Sequence, residues 1–166
     1  MSVIEITSKE IFTKVLAEKQ NEIVIDANSL ILGRLASMVA KLLSLGVKVY
    51  VVNVEGAVLT GDRKRVVEGY KLLFEVRTHR NPYRQSIHRP RNPITLFKRT
   101  VRNMLPRNTN QRLKMLKNVK AYIGLPLEFK DKAIVKVIDL SINTRRATEY
   151  ITLAELAKAL GWSPKV

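Results

Sequence analysis

The sequence has no cysteine and only two histidines. The first absence excludes disulfides and thiolate metal sites. The histidines, His79 and His88, stand nine residues apart in a basic stretch and offer no zinc-ligand set. Long apolar runs are missing too. No stretch approaches the roughly 18 residues of a membrane span. Met1 to Glu5 lacks a basic segment followed by an apolar one, so it does not read as a secretory signal. These absences lead us to expect a cytoplasmic protein with no membrane partner. The most informative absence is local. Residues 76–127 hold no Asp or Glu in 52 positions.

What fills that stretch is base. It carries thirteen Lys and Arg: Arg77, Arg80, Arg84, Arg89, Arg91, Lys98, Arg99, Arg102, Arg107, Arg112, Lys114, Lys117 and Lys120. The formal net charge is +16, and +13 of it sits in this one segment. Such a block repels itself unless a polyanion neutralises it. Arg outnumbers Lys nine to four here, and Arg forks onto phosphate and stacks on bases. Asn81, Gln85, Ser86, Asn92, Tyr83 and the two histidines place hydrogen-bonding and stacking groups among the bases. That mixture suits a folded RNA with irregular grooves. A DNA-duplex reader would show a recognisable docking motif, and none is present. A basic amphipathic helix on a membrane is the competing reading, but large exposed apolar residues for lipid are too few.

In chain order, residues 1–22 read as a helical extension, with Thr7 and Glu10 at capping-box spacing before Ile11, Phe12, Val15 and Leu16. Ile23 to Ile25 reads as a first strand, Gly33 to Leu45 as a helix stopped by Gly46, and Val47 to Val54 as a second strand. Together they form a βαβ unit. Ala57 to Thr60 reads as a short third strand. A helix then runs to about Phe74, with Val66, Val67, Tyr70, Leu73 and Phe74 turned inward. Residues 77–93, with Pro82, Pro90 and Pro93 and no glycine, read as an extended loop. Asn92 and Pro93 open a helix to Leu105, apolar at Ile94, Phe97, Val101, Met104 and Leu105 and basic at Lys98, Arg99 and Arg102. Pro106 ends it, and Asn108 or Thr109 caps the next. There Leu113, Leu116 and Val119 face inward, and Arg112, Lys114 and Lys117 face out. Val119 to Ile123 reads as a strand, and Ala133 to Leu140 as an edge strand or an extended arm. Thr152 and Glu155 form a second capping box, for a last helix ended by Gly161, with Trp162 packing back. The division expected is an extension at 1–22, an α/β body at 23–127 whose residues 76–120 bind RNA, and a C-terminal extension at 128–166.

Two motifs suggest enzymes. Gly56 and Gly61 have the spacing of a phosphate-binding loop, but Lys and Ser/Thr should follow, and Asp62 and Arg63 stand there instead. A carboxylate repels phosphate, whereas Asp62 is a good helix cap. His79 and His88 could act as acid and base in RNA cleavage. In their basic setting, stacking on or hydrogen-bonding to nucleic acid is the better reading. No cofactor, metal or small-molecule substrate is expected.

The same residues resemble a family. Asp26-Ala27, Leu32-Gly33-Arg34-Leu35-Ala36-Ser37, Val51-Val52-Asn53, Thr60-Gly61, Val101-Arg102-Asn103-Met104-Leu105-Pro106 and Tyr122-Ile123-Gly124 with Pro126 look, in order, like the ribosomal protein L13 family of the large subunit. The match runs over about residues 23–127, and the C-terminal part resembles the archaeal and eukaryotic branch. The resemblance implies a three-layer α/β/α body with a small, mainly parallel four-stranded sheet of order 3-2-1-4. It also implies a non-catalytic constituent of the large subunit, which contacts ribosomal RNA and neighbouring ribosomal proteins and supports assembly. The RNA-binding set expected is Arg77, His79, Arg80, Tyr83, Arg84, His88, Arg89, Arg91, Lys98, Arg99, Arg102, Arg107, Arg112, Lys114, Lys117 and Lys120. The alternative is a free RNA-binding or RNA-processing factor using His79 and His88.

Overall fold

A computed structural model of the chain describes residues 3–18, 21–76, 79–81, 84, 89–130, 132–145 and 149–164. Its main sheet has five parallel strands in the order β1-β6-β2-β3-β5. They are β1 (Val3–Ile6), β2 (Glu22–Asp26), β3 (Lys48–Val52), β5 (Val119–Ala121) and β6 (Ile134–Val137). Two further strands, β4 (Val58–Thr60) and β7 (Tyr150–Thr152), pair antiparallel in a second, two-stranded sheet. Helices among the described residues include α1 (Ser8–Glu18), α2 (Leu32–Ser44), α3 (Arg63–Glu75), α4 (Pro93–Met104), α5 (Thr109–Lys117) and α6 (Leu153–Ala159).

Parallel strands need crossovers, and crossovers are right-handed. The connections from β1 to β2, β2 to β3 and β3 to β5 all step the same way across the sheet. Handedness therefore puts α1, α2, α4 and α5 on one face. The step from β5 back to β6 goes the other way, so its connection belongs on the opposite face. The burial pattern agrees. Ile23, Ile25, Val49, Val51, Val119, Ala121 and Val137 share one core with Ile11 and Val15 of α1, the apolar side of α2, and Phe97 and Val101 of α4. Alternate residues Val24, Val52 and Ile134 form a smaller cluster with Phe129. Phe129 ends the 3-10 turn Leu127–Phe129 in the return connection. The third layer is thus thin. It is this turn, with Tyr50, Tyr122 and Leu125 packed around it.

Local chemistry sets the helix boundaries as expected. The amide N–H of Thr7 donates to Glu10 Oε2 at 3.0 Å, and that of Glu10 donates back to Thr7 Oγ1 at 3.4 Å. The amide N–H of Glu155 donates to Thr152 Oγ1 at 3.2 Å. Gly46, at φ +85°, ends α2 in the left-handed region open to glycine. One clamp is long-range: Asp139 accepts from the amide (3.0 Å) and the hydroxyl of Ser8, tying the start of α1 to the C-terminal segment.

The α/β class with a parallel sheet holds, while the strand count differs. Residues 3–6, expected to be helical, form an edge strand, and five strands replace four. Without β1, the strands β2, β3, β5 and β6, numbered in chain order, lie as 3-2-1-4. The expected third strand at 57–60 leaves this sheet for β7. The run 133–140, expected at an edge or as an arm, supplies β6, flanked by β1 and β2. Pattern alone cannot place a strand whose partners lie more than 100 residues away, since register comes from the partner.

Three apolar positions also differ. Leu73 of α3, Met104 of α4 and Leu113 of α5, all expected inside, are 42%, 43% and 50% exposed. On α4 the buried set is Pro93, Leu96, Phe97 and Val101, so the apolar face is rotated toward Leu96. No residue of α3 is buried. It lies across the body on half-buried Val66, Val67, Tyr70 and Phe74.

Candidate nucleic-acid interface

The interface is built on α4. Asn92 accepts a hydrogen bond from the amide of Ile94 at 3.0 Å, and Pro93 takes the first helical position, where no N–H is needed. Phe97 and Val101, both fully buried, hold the helix against the body. The next positions on the wheel, Lys98, Arg99 and Arg102, then point away from the core. Pro106 separates α4 from α5, whose start is capped by Asn108 through the amide of Asn110 at 3.1 Å. Lys114 and Lys117 are exposed on α5, as is Arg107 between the helices. Arg112, expected to face out, is half-buried, and its Nε is enclosed without a hydrogen-bond partner among the described residues.

The preceding segment, expected to be an extended loop, contributes what is described of it, and Arg84 within it is helical. His79, Arg80 and Arg84 are exposed, and the Asn81 side chain accepts from the amide of Arg84 at 3.1 Å. Arg77, Tyr83, Gln85, Ser86 and His88 lie outside the described residues, so the pairing of His79 with His88 does too. Arg89 and Arg91 are built into the fold as well as facing solvent. Arg89 Nε donates to the carbonyl of Leu73 at 3.2 Å, near the end of α3. The Arg91 guanidinium lies 4.9 Å from the centre of the Phe74 ring, a cation–π contact.

Between the loop, α4 and α5 runs an open groove of about 420 Å³ lined by Arg89, Pro90, Thr95, Lys98, Arg99, Arg102 and Leu116. Among the described residues no ion pair engages Lys98 or Arg102. Four cations on one groove attract a polyanion by summed potential. Beside it, between α3 and α4, lies a narrower slot of about 190 Å³ that shares Arg89, Pro90 and Arg99. Its other walls include Tyr70, Phe74 and Asn103, which sequence reading had not placed near nucleic acid. Burial pushes the Tyr70 phenol above its ordinary pKa.

Lys120 does not join this surface. It pairs in register with Tyr50, on the sheet face opposite α4 and α5. There its ammonium lies 5.8 Å from the Tyr50 ring centre, as does that of Lys132. Glu22 accepts from Lys48 at 3.3 Å and faces Lys132 at 3.8 Å. The Lys48 hydrogen bond holds the Glu22 carboxyl below its ordinary pKa. Sequence reading missed this second cluster of bases, Lys48, Lys120 and Lys132 around Glu22 of β2, because they come from β3, β5 and the segment before β6. No short window contains them.

The phosphate-loop spacing has a different structure here. Gly56 ends a 3-10 turn, β4 occupies most of the interval to Gly61, and Asp62 accepts from the amide of Lys64 at 3.0 Å. A Cβ on Gly56 would come 2.6 Å from Asn28 Oδ1, so close packing is enough to explain that glycine.

Among the described residues no helix is long and apolar enough to cross a membrane. A family model described as Ribosomal protein L13 matches residues 20–128. The Large ribosomal subunit protein uL13 of Sulfolobus acidocaldarius is 49% identical over 146 residues, covering 88% of this chain and 97% of that protein. Its counterpart in Saccharolobus solfataricus is 47% identical, covering 87% and 96%. That of Aeropyrum pernix is 42% identical, covering 85% and 90%.

Proposed function

The chain belongs to the ribosomal protein L13 family, and from that premise we propose that it is a structural, non-catalytic constituent of the large ribosomal subunit. In this reading it works in the cytoplasm, binds large-subunit ribosomal RNA, touches neighbouring ribosomal proteins and supports subunit assembly. The observation that carries the RNA reading is the division of labour on α4. One side is buried through Leu96, Phe97 and Val101, while Lys98, Arg99 and Arg102 line the groove outside. A rigid body thus presents charge at fixed spacing, and phosphate contacts of this kind position an RNA without reading its sequence. Arg107, Lys114 and Lys117 extend the surface along α5, and His79, Arg80, Arg84, Arg89 and Arg91 extend it into the loop. Arg77, Tyr83 and His88 belong to the same proposed set by their place in the chain. Arg112 contributes from the helix side, and Lys120 would meet RNA only from the other face. The body at 23–127 carries the binding surface, and the flanking segments 1–22 and 128–166 complete its sheet and serve as candidates for protein contacts.

The test is sedimentation of cell extract on a sucrose gradient, probing for this chain before and after a high-salt wash. We expect stoichiometric presence in the large subunit that survives the wash. Presence mainly in light fractions would overturn the reading. Cleavage of RNA abolished by His88→Ala would then favour the processing alternative.

A further inference from the structure

The slot between α3 and α4 is chemically unlike the groove beside it. Tyr70, Phe74 and Leu96 give it apolar and aromatic walls, and Leu73 stands 42% exposed at its rim. Phe74 is also held by Arg91, whose guanidinium lies 4.9 Å from its ring centre. Asn103, exposed on α4, adds both a donor and an acceptor at the wall. At about 190 Å³ the slot falls below the roughly 300–1,000 Å³ of ordinary small-molecule sites, so it has room for a single ring system. Arg89 and Arg99 line slot and groove alike, so whatever enters the slot has cations immediately at its mouth.

A flat ring with an apolar face and hydrogen-bonding edges, joined through a sugar to a negatively charged phosphate, is a nucleotide. In a helix the base faces are covered by stacking. Only a bulged or looped-out base offers its face to aromatic side chains and its edge to an amide. We propose that this slot takes one unstacked nucleobase of RNA, seated by Tyr70 and Phe74 with Asn103 at its edge, while the groove cations hold the adjoining phosphates. The proposal rests on the RNA-binding reading above and adds to it a site that selects RNA shape. Phosphate contacts alone would accept any duplex, whereas a filled slot favours RNA with an extruded base.

The experiment uses the full chain and two labelled RNA hairpins, one with a single bulged 2-aminopurine and one with the same base paired. We expect the bulged hairpin to bind about tenfold more tightly, the low end of what one stacked base contributes, with its fluorescence quenched on binding. Leu73→Trp, which fills the slot from its exposed rim, should abolish that preference and leave affinity for the paired hairpin unchanged. Asn103→Ala, at an exposed position, should reduce the preference without altering the circular dichroism spectrum. Equal binding of both hairpins by the unaltered protein would overturn the proposal, as would a preference that survives both substitutions. In either case salt-dependent binding would leave the RNA-binding reading standing, with an apolar side chain of a neighbouring protein as the slot's occupant. Loss of salt dependence for both hairpins would remove that reading and the slot with it.

Discussion

Replacing Lys98 and Arg102 with Ala tests the surface on α4 directly. Neither side chain is in an ion pair among the described residues, and both line the groove. Ala favours helix, and surface substitutions of this kind usually change stability by less than about 0.5 kcal/mol. The fold should therefore persist, with Phe97 and Val101 still buried. Each phosphate contact contributes roughly 0.7 to 0.9 to the slope of log affinity against log salt. Losing two lowers the slope by about 1.4 to 1.8. Between 50 and 200 mM salt, log salt rises by about 0.6, so the variant should lose about tenfold less affinity over that range than the unaltered chain. The assay is filter binding to labelled, deproteinised large-subunit RNA across that range. Lys120→Ala is the control, because Lys120 lies on the opposite face of the sheet beside Tyr50. A double variant with an unchanged slope would refute the reasoning, and so would a Lys120→Ala slope that falls by half as much, the share of one contact.

Val51 is fully buried in β3, so Val51→Asp places an unpaired charge in the core and should abolish cooperative urea unfolding; a normal transition would mean the strand is not where we describe it. Arg91→Ala should cost about 0.5–1 kcal/mol through the lost contact with Phe74, more than Arg102→Ala costs; equal urea midpoints for the two variants would show that Arg91 has no role in packing. The depressed pKa of Glu22, from its hydrogen bond to Lys48, stabilises the fold above the ordinary carboxyl value of 4.5. That contribution is lost as pH falls through the lower folded pKa, so Glu22→Gln should be less stable than the unaltered chain near neutrality and converge with it in acid. A stability gap that persists into acid would place the effect elsewhere than in the charge.

How much could be read beforehand depended on the range of each signal. The acid-free segment, the capping residues Asp62, Asn92 and Thr152, the stop at Gly46 and the apolar side of α2 are all short-range patterns. Charge does not need a fold to be counted, and a cap is satisfied within three residues. These determined, from the sequence alone, that an α/β body carries a basic, Arg-rich surface. Tertiary structure decided the rest. β6 lies beside β2 because β5 hands the chain back across the far face, and β1 closes the edge next to it. Leu73 and Met104 stand in solvent because α3 crosses the body without burying a residue and α4 turns Leu96 inward. Lys120 was grouped with α4 and α5 by proximity in the chain, and the period-two alternation of β5 sends it to the other face. Arg89 and Arg91, read as free to bind, are tied to Leu73 and Phe74. The slot that Tyr70, Phe74 and Asn103 help to wall exists only where two helices, distant in the chain, are packed side by side. Such a site has no signature in any local window, because its geometry is a property of the contact between the helices and not of either one.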